Sequence, residues 1–202
     1  MRIPQFLLIV LFLTLISFSA VAGQAPDKAK MQELQKASMR AAQPGPEHEI
    51  LKGLAGNWQQ TVNLWMSPGT DPMVIEGTCQ MTMILGGRFL QSKSVSGEGG
   101  HKMETMTIVG FDRRTEKFTT VGFDTWGTYS TSAEGEYDVA TKTITMAGTD
   151  YDPIMDHTQV YEFRTILTDK DNFAWEVVFL DKELAGSAEE FKMVEITYKR
   201  QK

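Results

Sequence analysis

The sequence predicts an all-β chain: a single antiparallel β-barrel of about ten strands, preceded by one or two short N-terminal helices. Three observations carry this. From Gly56 onward, short apolar and β-branched runs alternate with turns rich in Gly, Asp, Pro and Lys. No helical stretch separates the runs, so the crossovers of a parallel sheet are missing. The runs also show the period-two pattern of strands with one buried face. Trp58, Gln60, Val62, Leu64 and Met66 share one parity, and Phe173, Trp175, Val177 and Phe179 share another. About ten such strands form a barrel or a sandwich, and no internal repeat of propeller length is present.

In chain order, residues 1–22 read as a secretory signal peptide. Arg2 is the positive n-region, Phe6 to Phe18 is almost wholly apolar, and Ala20-Val21-Ala22 is a small-x-small cleavage site. Residues 23–45 form a helical or flexible segment. Met31, Leu34, Ala37, Ser38 and Met39 have roughly helical spacing, and Gln43-Pro44-Gly45-Pro46 breaks it. The barrel domain then covers residues 46–202. It opens with a short helix over 46–54, where Pro46 suits the first turn, Glu47 and Glu49 favour the helix N-terminus, and Gly56 ends it. The ten expected strands span residues 58–66, 73–85, 88–94, 102–111, 117–125, 128–134, 143–147, 158–168, 173–180 and 190–199. Asp112 to Glu116 and Asp169 to Asn172 read as hairpin turns.

Composition excludes several functions. The 202 residues carry 20 Lys and Arg against 26 Asp and Glu, a net charge of −6, with no basic run for nucleic acid. Beyond the leader no apolar run approaches the length of a spanning helix. Cys79 is the single cysteine, so no intrachain disulfide forms. In a strand it reads as a buried, inert small hydrophobe. The leader implies an exported protein, periplasmic or secreted.

Gly56-Asn57-Trp58 follows the short helix and opens the first strand, and Arg200 ends the last. This is similar to the lipocalin and wider calycin arrangement, in which a Gly-x-Trp opens the barrel and a C-terminal basic residue covers the ring. The implied role of Gly56, Trp58 and Arg200 is structural closure, with a guanidinium stacked on the indole and bonded to nearby carbonyls. Further motifs follow in order: Pro46-Glu47-His48, Leu54 to Trp58, Leu85-Gly86-Gly87-Arg88-Phe89-Leu90, Gly110-Phe111-Asp112, Phe123 to Thr128, and Glu195 to Arg200. Together they resemble the bacterial family catalogued as domain of unknown function 1579, over roughly Pro46 to Arg200. The resemblance implies an exported bacterial member with this fold, and brings no activity or catalytic residue with it.

Catalytic and metal signatures are missing from the sequence. His48, His101 and His157 are scattered without zinc spacing. Asp150, Asp152, Asp156 and His157 lack the Gly and terminal Glu of a Ca²⁺ loop, and read as a solvated acidic turn. There is no Gly-x-Ser-x-Gly elbow and no phosphate-binding loop. No catalytic residue, metal or cofactor is therefore assigned. The leading expectation is a small apolar or amphipathic ligand held inside the barrel. Arg88, Trp126, Tyr161 and Trp175 are the candidate lining, with Arg88 able to grip a carboxylate bidentately. Methionines such as Met81, Met83 and Met103 would add adaptable apolar lining. Two alternatives stand beside it. One is a packed barrel serving as a structural or interaction module. The other is an acid–base enzyme using Glu195 or His157, if alternation turns Glu195 inward with Phe191 and Met193. The sequence leaves oligomeric state open.

Overall fold

A computed structural model describes residues 27–202, apart from Ser187 and the side chain of His101. The expected leader at residues 1–22 lies outside the described residues. By backbone contacts the chain divides into two units, residues 1–37 and 38–202. Helix α1 (Lys28–Ala41) runs over the division. It buries none of its residues, and Met31, Leu34 and Met39 are exposed.

Helix α2 (Pro46–Leu54) begins where Pro46, with no N–H to leave unpaired, occupies the first turn. The His48 Nδ1 accepts the Gly45 N–H at 3.0 Å. His48, Leu51 and Leu54 share one buried face, i, i+3 and i+6 along the helix. His48 meets Phe111 edge-on at 6.1 Å, and burial holds its imidazole below its ordinary pKa.

Ten strands follow: β1 (Gly56–Leu64), β2 (Met73–Ile84), β3 (Phe89–Ser96), β4 (Met103–Asp112), β5 (Lys117–Asp124), β6 (Thr131–Asp138), β7 (Thr143–Asp152), β8 (His157–Leu167), β9 (Asn172–Phe179) and β10 (Phe191–Arg200). Each pairs antiparallel with the next, and β10 returns to β1 to close an up-and-down barrel. All the ten strands read from the sequence are present. Their ends move by a few residues for local reasons. Asp124 ends β5 early, because its Oδ1 accepts the N–H groups of Trp126 and Gly127 at 2.8 and 3.2 Å. Asp152 does the same for Ile154 and Met155. Asp150 and Asp152 therefore belong to β7 rather than to a solvated turn, and only residues 153–156 form the connection.

One end of the barrel is closed by large side chains. Trp58, 1% exposed, meets Phe173 edge-on at 4.9 Å, and Phe173 stacks on Tyr198 at 4.2 Å. Phe111 and Phe118 pack beside them, and the buried face of α2 joins the same cluster. The Trp58 Nε1–H donates to the Leu54 carbonyl at 2.9 Å. The Arg200 guanidinium lies 4.1 Å over the indole. It donates to the carbonyls of Ala55 at 2.8 Å, Gly53 at 2.7 Å and Lys170 at 2.9 Å. Gly56 has φ +144°, and an added Cβ would lie 2.4 Å from the Arg200 Nη1. Only glycine joins that backbone to that close approach.

Alternation fails in β10. The register shifts between Lys192 and Val194, so Met193 is the extra residue of a β-bulge. Phe191, Val194, Ile196 and Tyr198 face inward, and Glu195 faces outward opposite Asn63 and Glu176. An inward Glu195 beside Met193 is thus corrected by the bulge. Its carboxylate pairs with Lys192, which also bonds Glu176 at 3.0 Å.

Candidate functional site

The register of ten strands sorts the interior into two walls. The first is aromatic and comes from β8, β9 and β10. Tyr161 lies 5.0 Å from Phe163, Phe163 lies 5.3 Å from Trp175, and Phe179 sits 6.3 Å from Tyr161. Tyr161 is fixed by donating its hydroxyl to the Ser132 carbonyl at 3.1 Å. It does so across Gly148, where a Cβ would stand 2.6 Å from the Tyr161 ring and 2.4 Å from the Ser132 oxygen. Burial pushes the Tyr161 phenol pKa up.

The second wall is polar and comes from β1 to β6. Pairing aligns Gln60 with Gly77 and Gly77 with Ser96. It then aligns Ser94 with Thr105, Ser92 with Thr107, Thr107 with Gly122, and Gly122 with Thr131. Three separate side-chain bonds tie parts of this wall together. Ser94 and Thr105 are 2.5 Å apart, Ser92 meets the Cys79 Sγ at 3.1 Å, and the Gln60 Nε2 donates to Ser96 at 2.6 Å. Gly77 lets that amide cross to β3, since a Cβ there would fall 2.8 Å from the Ser96 Oγ. Gln60 is 1% exposed, and its Oε1 has no partner. Turning the amide over would move that deficit to the nitrogen. Cys79 is buried, and desolvation pushes its thiol pKa up.

Inward positions carry few charges. Among the described residues no lysine occupies the inward register, and the one inward arginine is Arg200, committed to Trp58 and three carbonyls. The inward acids, Asp124, Asp150 and Asp152, lie at the strand ends away from Trp58. His157 pairs with Asp152 in the β7–β8 register. Its Nε2 is 3.3 Å from Asp181 and its Nδ1 is 3.2 Å from Glu183. Asp181 also caps α3 (Lys182–Ala185) by accepting the Leu184 N–H at 3.0 Å, and Ala185 is buried at this end. No group of three or more His, Cys, Asp or Glu is placed to hold a metal among the described residues.

The four residues expected to line a pocket separate. Tyr161 and Trp175 stand on the aromatic wall. Arg88 stands at the closed end, where its Nε donates to the Ala42 carbonyl at 3.1 Å and its Nη1 to Leu85 at 3.2 Å. Its guanidinium holds the β2–β3 turn to the segment before α2 and does not face the interior. Trp126 lies on the β5–β6 loop, 61% exposed, beyond the wall rather than in it. The polar wall was missed in the sequence. Its one signal is the run Ser92, Ser94, Ser96 at period two, with Lys93 and Val95 between. A polar face is ordinarily taken to point outward.

A closed antiparallel barrel with one sealed end and a divided interior defines the structural class. The match to the family described as protein of unknown function, DUF1579, covers residues 43–200, and the chain belongs to that family. No curated protein matches the sequence. Among solved structures, the chain is similar to the S-type phycobiliprotein lyase CPES from Guillardia theta. The TM-score is 0.52 at 8% identity, over 82% of this chain and 97% of that one. That likeness concerns the fold.

Proposed function

We propose that this protein is an exported binding protein that holds a small apolar or amphipathic molecule inside its barrel. The observation that carries the reading is the division of the interior. Every strand contributes to the apolar cluster, but beyond it the inward Thr105, Thr107 and Thr131 of β4 and β6 present hydroxyls across the barrel from the rings of β8 and β9. Inward residues Thr105, Thr107, Val109, Trp175 and Ile196 are only half-buried, although the barrel is closed around them. Ligand sites of this kind combine an apolar lining with a few convergent polar groups. The solved neighbour is titled a lyase and shares only the barrel, so the reading rests on this chain's own lining. Tyr161 and Trp175 are its apolar contacts. Export rests on the leader at residues 1–22.

Titration with N-phenyl-1-naphthylamine tests this. The dye should bind at one per chain with a rise in emission. Trp175→Phe should lower energy transfer to it while leaving stoichiometry unchanged. Absence of saturable binding would refute the reading.

A second reading, an interaction module, is favoured by one observation. Met66, Trp126, Tyr129, Ile154 and Met155 on the connections, and Met73 at the start of β2, are exposed at the end away from Trp58.

A further inference from the structure

We propose that the interior selects uncharged, hydrogen-bonding amphiphiles such as long-chain alcohols, and rejects carboxylates of the same length. The inference rests on the reading of the barrel as a ligand site and adds the chemistry of the head group. Three independent features point the same way. First, the polar wall offers neutral donors and acceptors at its half-buried part. Gly122 sits between two of them: an added Cβ would lie 3.2 Å from the Thr131 Oγ1 and 3.9 Å from the Thr107 Oγ1. A side chain there would crowd the Thr131 hydroxyl, and glycine leaves it uncovered. Second, the Gln60 amide on the same wall keeps one buried polar atom without a partner. Third, the inward face offers an anion no counter-charge. Arg200 is already committed, no inward lysine exists among the described residues, and Asp124, Asp150 and Asp152 occupy the opposite end. A carboxylate moved inside would lose its hydration and gain no cation, whereas a hydroxyl would exchange water for Thr107 and Thr131. Arg88, the residue that could have balanced a carboxylate, is held outside at the closed end.

The test is displacement of bound N-phenyl-1-naphthylamine by 1-dodecanol and by dodecanoate, each below its aggregation limit, at neutral pH. The alcohol should displace the dye at least about tenfold more tightly than the acid. Dodecanoate should gain affinity as pH falls toward its own pKa, because the protonated head is neutral. Thr107→Val, close to isosteric, should weaken the alcohol about threefold or more relative to the dye, with both affinities measured on the variant itself. Gly122→Ala, which crowds the Thr131 hydroxyl, should lower alcohol affinity relative to the dye in the same way and serves if Thr107→Val folds poorly. Equal or tighter binding of dodecanoate at neutral pH would overturn the proposal while leaving the carrier reading intact. Failure of the dye itself to bind would overturn both.

Discussion

At the residue scale, Tyr198 shows how burial sets chemistry. It stacks on Phe173 beneath Trp58, and desolvation raises its phenol pKa well above the ordinary 10.0. The folded state therefore keeps this proton to higher pH than the unfolded chain does. Its contribution is complete below pH 10 and is lost as pH rises beyond that value. Thermal melts between pH 8 and pH 11 should show stability falling above pH 10, and Tyr198→Phe should flatten that fall. An unchanged slope in the variant would assign the loss to other groups. Gly148 is a steric counterpart. Its missing side chain gives Tyr161 its path to Ser132, so Gly148→Ala should cost about 2 kcal/mol in urea unfolding. Arg200→Ala should cost about 3 kcal/mol by the same measurement, since it removes a stacked cation and three charge-assisted bonds to carbonyls.

At the scale of elements, the strands were legible because period two survives wherever pairing is regular. The run from Trp58 to Leu64 reads directly as a strand with its even positions inward, and the structure buries those positions. The C-terminal strand was legible as a strand but not in its facing. Met193 adds one residue between Lys192 and Val194, and parity counted through it turns Glu195 the wrong way. Sequence alone does not mark a bulge at a residue as ordinary as methionine. Deleting Met193 should restore a regular ladder with Phe191, Val194, Ile196 and Tyr198 still inward. The cost should be about 1–2 kcal/mol, mainly from losing the bond between the Trp65 N–H and the Met193 carbonyl. Deleting Ile196 instead would invert the residues after it and should prevent folding. Circular dichroism and urea melts of the two deletions separate these outcomes, and equal damage from both would contradict the bulge assignment. The polar wall was illegible for a different reason. In β3 the hydroxyls of Ser92, Ser94 and Ser96 point inward while Lys93 points out, so no difference in polarity tells the two faces apart.

At the scale of the whole molecule, closure gives the protein an inside with two chemistries. The base, made by Trp58, Arg200, Phe173 and α2, is saturated with contacts. The middle is divided between rings and hydroxyls, and the far end carries the acidic strand ends and α3. Neither wall is contiguous in sequence, since the rings come from β8 to β10 and the hydroxyls from β1 to β6. Only closure of β1 on β10 brings them face to face. Of the candidate lining read from sequence, Tyr161 and Trp175 lie on the inward faces of β8 and β9, while the Arg88 guanidinium is taken by its own turn and the Ala42 carbonyl.

The most direct test of the central claim is native mass spectrometry of the protein purified from its own host, beside the same sample denatured. The native protein should carry additional mass, one ligand per chain, that is released on denaturation and belongs to an uncharged amphiphile. A bare chain mass under native conditions, together with no uptake of 1-dodecanol added in excess, would contradict it.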